Sequence, residues 1–236
     1  MENTEHAKMP LIGDEAPSFT AATTKGEINF PDDYSGKWVI LFSHPADFTP
    51  VCTSELMSFA AMADEFEALN AKLVGVSVDS ISSHLAWLKT MEDKIEFNGI
   101  KSPKMDFPVV ADVSMDVAKR YGMIQPGASD TKTVRSVFFI DPQGKIRAII
   151  YYPLSNGRNF QEIKRILTAM QVSDAFGVAT PADWQPGDKV VLSAPSNMED
   201  LKHRNEELPE GAVCEDWFFC LQDLDDKKIE KKIYGR

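Results

Sequence analysis

The sequence predicts a mixed α/β fold, in which helices flank a central mixed sheet and a carboxy-terminal extension follows. Three observations predict it. Buried-strand patterns alternate with amphipathic-helix patterns, a tight turn separates two later strand patterns, and prolines and glycines punctuate the last quarter of the chain. With 236 residues, 43% of them apolar and 26% charged, the chain suits one main globular domain with an appendage.

Two strand–helix units open the pattern. Trp38–Phe42 is a continuous apolar run, typical of a strand buried on both faces, and residues 56–66 carry apolar side chains at helical spacing. Leu73–Val78 and Ile81–Ile95 repeat the strand and the helix. This alternation indicates that much of the sheet is parallel.

In the next part of the chain, a tight turn instead of a helix connects two of the predicted strands. Phe107–Val110 predicts a short strand with its proline near the start, and Ser114–Tyr121 predicts a short helix. Val134–Ile140 and Lys145–Tyr151 then flank Asp141–Gly144, a tight-turn sequence. An antiparallel hairpin follows from this arrangement, so the sheet is mixed.

The last part of the chain predicts a helix and then an arm. Apolar spacing continues from Phe160 to Leu167, whereas beyond Thr180 four prolines, together with Gly187 and Gly211, favour an extended arm over a second compact core. The charge run Asp223–Lys232 is most simply a solvated helix. We divide the chain into a main domain, 1–172, and an arm or small domain, 173–236.

Charge and hydropathy exclude several classes of partner. The formal net charge of −11 disfavours nucleic acid and anionic membrane surfaces, which both select a basic face. No window contains the roughly 18 apolar residues of a membrane helix, and the amino-terminal residues lack the layout of a signal peptide. We expect a cytoplasmic protein with no nucleic-acid or membrane partner.

Cys52 stands out among the three cysteines. Thr49 suits a helix N-cap and Pro50 suits the first helical position, which makes Cys52 the third residue of the helix. Amide groups without partners and the helix dipole favour a thiolate there. The environment is that of a reactive cysteine.

The helix end alone supplies too little energy for this role. A free thiol has a pKa near 8.5, and lowering a thiol pKa to about 6 takes about 3.4 kcal/mol. A helix end contributes about 0.3–2 kcal/mol. A second positive charge must therefore come from elsewhere in the sequence.

The segment Phe42–Cys52 contains the pattern Pro-x-x-x-Thr-x-x-Cys and resembles the active-site segment of peroxiredoxins. Further matches to the peroxiredoxin-6 subfamily are Asp79–Ser80, His84–Trp87, Thr133–Arg135, Tyr152–Pro153, Gly157–Phe160 and Ala179–Trp184. The resemblance covers nearly the whole chain. It implies a thioredoxin-like peroxidase domain at residues 1–172.

The resemblance also assigns roles to residues around Cys52. It implies that Cys52 is the peroxidatic cysteine and that Arg135 is the guanidinium beside it, although by itself Arg135 would pass for an ordinary solvated arginine. The Thr49 hydroxyl can accept a hydrogen bond from the peroxide and donate one to the sulfur. When Cys52 reduces a peroxide, it becomes a sulfenic acid. Pro45 would shield this sulfenic acid from water.

Two further residues match subfamily positions around the site. His44 and Arg158 are candidates for substrate binding. A packing histidine and a turn-exposed arginine are equally good interpretations of the same residues.

Cys214 and Cys220 bracket a tryptophan and two phenylalanines inside a polar tail. A zinc site would need four ligands, and only His203 lies nearby to add to the two cysteines. The cluster is similar to the arm of archaeal-type members of the subfamily, which implies that Cys220 resolves the sulfenic acid on a partner subunit. Cys214 either pairs with Cys220 during disulfide shuffling or is a buried spectator.

The resemblance implies an antioxidant peroxidase that needs no metal and no cofactor. It would reduce hydrogen peroxide and organic hydroperoxides and be recycled by a thioredoxin-like dithiol reductant. The apolar tail cluster and the run Ile149–Tyr152 suggest covered surfaces, and the resemblance implies subunit pairing at a sheet edge, in a dimer or in a decamer built from five dimers. Lys37 occupies the position where some members of the subfamily carry a lipase serine, so lipase activity is not expected.

Two other functions remain open at this point. A thiol-disulfide oxidoreductase on the same fold usually has Cys-x-x-Cys, and Thr49 stands where its second cysteine would be. A holdase or scaffold would make the assembled ring the functional object and Cys52 incidental.

Overall fold

The computed structural model describes residues 9–225 and 229–234. It contains two compact units, Met1–Phe160 and Gln161–Arg236. The assignment of functional domains to residues 1–172 and 173–236 stays a prediction. Among the residues described, none of the helices combines the length and the apolar composition that crossing a bilayer requires.

A seven-stranded mixed sheet forms the centre of the first unit. Its spatial order is β2-β1-β7-β4-β3-β8-β9. The strands are β1 (Phe19–Thr23), β2 (Gly26–Phe30), β3 (Trp38–Ser43), β4 (Ala71–Ser77), β7 (Val109–Ala111), β8 (Arg135–Ile140) and β9 (Ile146–Tyr152), and a separate small hairpin contains β5 (Glu96–Phe97) and β6 (Ile100–Lys101). β7, β4 and β3 are mutually parallel, whereas every other neighbouring pair in the large sheet is antiparallel. The predicted mixed sheet is confirmed.

The helices of this unit follow the predicted positions with small changes. They are α1 (Pro50–Ala61), α2 (Ala63–Ala68), α3 (Ile81–Lys94) and α4 (Asp116–Arg120). The single helical pattern of residues 56–66 is divided at Met62, where φ is −101° and ψ is 4°, values outside the regular helix. The predicted short helix at Ser114–Tyr121 is shorter than its pattern because its N-cap, Met115, is left-handed.

The strand β3 is buried along its whole length, as its apolar run predicts. Alternate side chains point to opposite faces of the sheet. Val39 and Leu41 join a core cluster with Phe138 of β8, while the Phe42 ring stacks on Phe59 of α1 at a centroid distance of 4.0 Å. This contact fixes α1 against the sheet at the end that leads to Cys52.

The hairpin of β1 and β2 was not predicted from the sequence. Its strands have only five residues each, and in β1 the buried residues are the first and the last rather than alternate ones. The turn includes Gly26 at a φ of 107°, a conformation that favours glycine. β1 joins the sheet only through Thr23 opposite Val110, so a tertiary contact rather than a strong local pattern sets its place.

The second unit is more ordered than the extended arm that the sequence favoured. It contains most of α5 (Phe160–Phe176), α6 (Met198–Glu206) and a three-stranded antiparallel sheet in the order β10-β12-β11. These strands are β10 (Val190–Val191), β11 (Ala212–Asp216) and β12 (Phe219–Gln222). The predicted helix at Asp223–Lys232 lies partly outside the described residues, and a π-helical turn covers Glu230–Tyr234.

Strand direction brings distant residues to one end of the sheet. β8 runs antiparallel to β3, with Val137 opposite Phe42. The first residue of β8, Arg135, therefore lies beside the end of β3, where the chain passes through residues 44–49 into α1. The sheet thus places the amino end of β8 next to the helix that carries Cys52.

Candidate active site

Cys52 lies in the first turn of α1, as the sequence predicts. Thr49 is the N-cap residue with extended backbone dihedrals, and Pro50 is the first helical residue. Cys52 is the third residue of the helix, and its side chain is fully buried. Among the described residues, which include all three cysteines, it is the one with a free thiol.

The Thr49 hydroxyl makes a local hydrogen bond instead of capping the helix. It donates to the Ala46 carbonyl oxygen at 2.9 Å, and the helix start has no side-chain cap. A hydroxyl oxygen keeps lone pairs for a further donor, so it can still accept from a peroxide. Donation to the Cys52 sulfur would require the hydroxyl to leave Ala46. Pro45 is buried in the same segment.

Arg135 is buried beside Cys52 and is only 2% exposed, so the alternative of a solvated arginine is wrong. Its Nη1 lies 3.4 Å from the Cys52 Sγ. Its Nε and Nη2 both donate to the Leu154 carbonyl oxygen, at 3.0 and 2.8 Å, which fixes the plane of the guanidinium. The structure brings the predicted cysteine and a second positive charge together.

A buried carboxylate that the sequence prediction missed, Glu55, lies between two arginines. Its Oε2 accepts from Arg135 Nη1 at 2.6 Å and from Arg158 Nη2 at 2.7 Å. Its Oε1 accepts from Arg158 Nε at 2.9 Å and from the Arg158 amide at 2.8 Å. We call these three residues the arginine–glutamate cluster.

Arg158 is part of this cluster and is not a turn-exposed residue. It is 6% exposed, and its guanidinium carbon lies 5.4 Å from the Phe42 ring centroid and 5.6 Å from that of Phe59. Its Nη1 donates to the carbonyl oxygens of Ser43 and Ser136, both at 2.9 Å. The protein engages each of its nitrogens and Arg158 holds Glu55, while its predicted role in substrate binding stays a prediction.

The arginine–glutamate cluster carries one net positive charge, since two guanidiniums face one carboxylate. Burial would raise the pKa of Glu55, but the charges and hydrogen bonds of Arg158, together with the charge of Arg135, outweigh it and hold that pKa below its ordinary value. Glu55 is therefore ionised. A thiolate at Cys52 would bring the buried group to neutrality.

His44 lies in a second buried polar group with Asp47 and His84. The His44 Nε2 is 2.9 Å from Asp47 Oδ1, and the His84 Nδ1 is 2.8 Å from Asp47 Oδ2. Burial lowers the pKa of His44 against the raising effect of Asp47. Burial would raise the pKa of Asp47, but hydrogen bonds from both histidines overcome it and hold that pKa well below its usual range. His44 is thus buried, as expected for a packing histidine, and it also takes part in a buried polar group with Asp47.

The same three side chains have the composition of a metal site. One ligand atom from each of His44, Asp47 and His84 lies within 4.8 Å of the others. The Asp47 carboxylate is already hydrogen-bonded to both rings. We assign the group no metal, and the absence of a metal cofactor stays a prediction.

In the second unit, Cys214 and Cys220 form a disulfide. They lie directly opposite each other on β11 and β12, at the ends of the turn that contains Trp217 and Phe218. Cys220 is fully buried, whereas the rings of Trp217, Phe218 and Phe219 are 42%, 54% and 42% exposed. Of the two alternatives for Cys214, the structure contains the pairing with Cys220, and the aromatic rings between the two cysteines are about half exposed.

A largely apolar groove of about 620 Å³ lies beside the start of α1. Phe48, Trp87, Met91 and Phe97 line it, and Thr49–Val51 form one of its edges. Phe48 is 58% exposed and has a left-handed φ of 55°. Such a conformation is uncommon for a bulky side chain, and the exposed ring forms part of the lining of the groove.

Three residues of these buried groups were missed by sequence reasoning, and each had a weak signal. Glu55 follows Cys52 by one helical turn, so a carboxylate stands next to Leu56 on the apolar stripe of a helix. Asp47 lies inside the active-site motif, and His84 lies in a segment matched to the subfamily. The sequence provided no reason to pair any of them with a particular partner.

Two protein families match this chain. Residues 12–149 match the AhpC/TSA family, and residues 169–207 match the C-terminal domain of 1-Cys peroxiredoxin. A peroxiredoxin of Methanosarcina mazei is 62% identical over 214 residues, covering 91% of this chain and 98% of the relative. A peroxiredoxin of Aquifex aeolicus is 48% identical over 226 residues, covering 92% of this chain and 98% of the relative.

Solved structures show the same likeness. A yeast mitochondrial 1-Cys peroxiredoxin, described for thiol resolution through glutathione and thioredoxin systems, aligns with a TM-score of 0.77 at 37% identity, covering 92% of this chain and 100% of its own. A cysteine-to-serine mutant of peroxiredoxin 6 of Arenicola marina aligns with a TM-score of 0.76 at 31% identity, covering 92% and 99%.

Replacement of Glu55 should destabilise the protein in a pH-dependent way. Glu55→Gln leaves two buried guanidiniums without their carboxylate, so we expect a loss of about 3 kcal/mol in the free energy of unfolding at neutral pH. The folded-state pKa of Glu55 is lowered from an ordinary value of 4.5. Its contribution is therefore fully present above about pH 4.5 and is lost as the pH falls through the lower folded-state pKa.

Urea unfolding of the reduced protein between about pH 7 and pH 3 measures this difference. Glu27→Gln, at an exposed position on β2, is the matched control and should show no loss. A difference between wild type and Glu55→Gln that stays constant down to the lowest pH would contradict an ionised Glu55.

Proposed function

Because the chain belongs to the peroxiredoxin family and is a thiol peroxidase, we propose that the Cys52 thiolate is the group that attacks the hydroperoxide. The observation that carries this proposal is the 3.4 Å separation of Arg135 Nη1 and Cys52 Sγ in the first turn of a helix. Of the three cysteines, Cys52 is the one that combines a helix start with a buried cation.

The proposed first step transfers two electrons from sulfur to the peroxide. The Cys52 thiolate attacks one peroxide oxygen, the S–O bond forms as the O–O bond breaks, and the expelled hydroxide or alkoxide takes up a proton from solvent, equal to the one the thiol released on ionising, to become water or an alcohol. Arg135 is placed to stabilise charge along the breaking bond, and the Thr49 hydroxyl oxygen to accept from the substrate. Pro45, buried in the same segment, would keep water from the sulfenic acid.

We assign Arg158 and His44 supporting roles. Arg158 orients Glu55, and Glu55 in turn fixes the Arg135 guanidinium from the side opposite Leu154. His44 is held to Asp47 near the start of the active-site segment. The apolar groove beside Thr49 supports organic hydroperoxides as substrates along with hydrogen peroxide, since it can receive an alkyl group.

The second step is proposed to use Cys220 of another chain. The Cys220 thiol condenses with the Cys52 sulfenic acid, forming a disulfide and releasing water. The Cys214–Cys220 disulfide supports a third step, in which the Cys214 thiolate attacks Cys220 and releases the Cys52 thiolate. A thioredoxin-like dithiol protein would then reduce this disulfide by exchange.

Peroxide reduction should depend on Cys52 and Arg135. In stopped-flow mixing with hydrogen peroxide, Cys52→Ser should abolish fast consumption, and Arg135→Ala should slow it by about 100-fold because a charge-stabilising donor is lost. The ultraviolet absorbance of the thiolate at neutral pH should also fall in Arg135→Ala.

Arg120→Ala, at an exposed arginine of α4, serves as the matched control and should keep the wild-type rate. If Arg135→Ala retained both the rate and the thiolate absorbance, the second charge would have been assigned to the wrong residue. Disulfide reduction with peroxide largely untouched would instead identify an exchange enzyme.

Cys220, rather than Cys214, should be the cysteine that condenses with the Cys52 sulfenic acid. Peroxide-treated wild type should form a dimer band on a non-reducing gel, and Cys220→Ser should abolish both this band and turnover with thioredoxin while the first peroxide reduction stays fast. Cys214→Ser is the matched variant and should strengthen the band, because nothing displaces Cys52 from the mixed disulfide. A band that survives Cys220→Ser and disappears in Cys214→Ser would reverse the two roles.

The protein should assemble into dimers or rings of dimers. β9 is an edge strand of the large sheet, and its residues Arg147–Tyr152 are only half-buried in the single chain. Unpaired edge groups favour pairing with another chain. Light scattering of the reduced protein measures the mass in solution, and a stable monomer at micromolar concentration would rule out resolution between subunits.

A further inference from the structure

His84 is a buried side chain that takes no part in the reaction steps proposed above. It lies in the first turn of α3 and is fully buried. Its Nδ1 is 2.8 Å from Asp47 Oδ2, and its Nε2 is 3.2 Å from the Val110 carbonyl oxygen. The side chain therefore links α3 and β7 to the segment that leads into the helix of Cys52.

Hydrogen-bond donors and acceptors determine how many protons His84 carries. A backbone carbonyl only accepts, so the His84 Nε2 must bear a hydrogen. Asp47 is ionised, and a carboxylate also only accepts, so the His84 Nδ1 must bear one too. Both contacts are satisfied together only if His84 is an imidazolium.

The position of His84 shows why this charge depends on Asp47. The first turn of a helix disfavours positive charge, and complete burial disfavours any charge. Asp47 is the carboxylate in direct contact with the ring, while Asp79 accepts from the Asp47 amide at 3.0 Å. The His84–Asp47 ion pair is thus formed in a place where losing either partner leaves the other charge uncompensated.

Asp47 also sets the protonation of His44. Because the carboxylate only accepts, the His44 Nε2 carries the hydrogen in that contact. Burial keeps His44 neutral by lowering its pKa, so its Nδ1 holds a lone pair, and that atom has no hydrogen-bond partner among the described residues. The backbone of His44 is fixed by Val76 and Thr133.

We propose that His84, as an imidazolium, is a positioning residue of the peroxidase site: it anchors Asp47, which fixes the His44 tautomer and the path of residues 44–49. The anchor holds the peroxide-reducing form. Because Cys52 is fully buried, a resolving thiol can reach it only after residues 44–49 and the start of α1 loosen, and in that loosened form the segment parts from His84. The strength of the His84–Asp47 ion pair therefore sets the partition between further oxidation of the sulfenic acid and disulfide formation. The part of this inference that concerns the two fates of the sulfenic acid rests on the proposed function.

The protonation state can be measured on the unmodified protein. The chain has four histidines, so selective nitrogen-15 labelling of the reduced full-length protein gives few signals. At neutral pH, both ring nitrogens of His84 should bear protons, while His44 should bear one, on Nε2. His84→Gln assigns the His84 signals. A bare nitrogen on His84 would overturn the proposal whatever the variants do.

The positioning role is tested by kinetics. His84→Gln should reduce peroxide about 10-fold more slowly, since small displacements of reacting groups carry rate losses of this size or greater. At the same time, it should form less sulfinic acid per turnover and more mixed disulfide, measured by mass spectrometry after stepwise peroxide addition. A residue with a merely structural role would lower the folded, active fraction and leave this partition unchanged.

Two further variants keep the result decisive. Asp47→Asn breaks the same pair from the other side and should shift the partition in the same direction, and the double variant should be little worse than either single one. His203→Gln, an exposed histidine of α6, should match wild type. Folded variants with wild-type partition would overturn the positioning role, whereas loss of peroxide reduction in Cys52→Ser tests the proposed function separately.

Discussion

Two guanidiniums in the protein interior are stable only if fixed acceptors surround them, and this requirement organises the region around Cys52. Glu55 supplies two acceptors from α1, Ser43 and Ser136 supply carbonyl oxygens from neighbouring strands, and Leu154 supplies another from the loop after β9. Removing Glu55 would leave the two buried guanidiniums without a compensating charge, at a cost of about 3 kcal/mol. The cluster thus connects the helix, the sheet and a loop at the point where the reactive sulfur lies.

The same cluster explains the electrostatics of the cysteine. Two guanidiniums and one carboxylate leave one positive charge in a volume that Cys52 shares. A helix end adds a smaller contribution of the same sign. The folded protein therefore holds a positive charge that a Cys52 thiolate compensates. Glu55 is held in place by Arg135 and Arg158, so its position does not require a bound substrate.

A second set of buried polar contacts holds the segment before Cys52 against α3. His84 bonds to Asp47, and the Trp87 indole donates to the Thr53 hydroxyl at 3.1 Å. Both contacts link α3 to the part of the chain around Cys52, which the proposed resolving reaction would have to free. Polar contacts suit this task because their strength depends on geometry, so a small displacement weakens them together.

The local sequence determined much of this protein. It predicted the alternation of strands and helices, the hairpin after β7 and the place of Cys52 in the first helical turn, because periodicity and capping residues act over a few positions. The tail shows the limit of such reasoning, since its prolines and glycines were visible but the pairing of β10, β11 and β12 was not.

Only the tertiary structure decided which polar side chains meet. Arg135 and Cys52 are 83 positions apart, Arg158 and Glu55 are 103 apart, and His84 and Asp47 are 37 apart. A sequence pattern indicates which face of an element is buried, but it does not specify the partner across the core. Strand order and strand direction made that choice, because they brought the end of β3 and the start of β8 together.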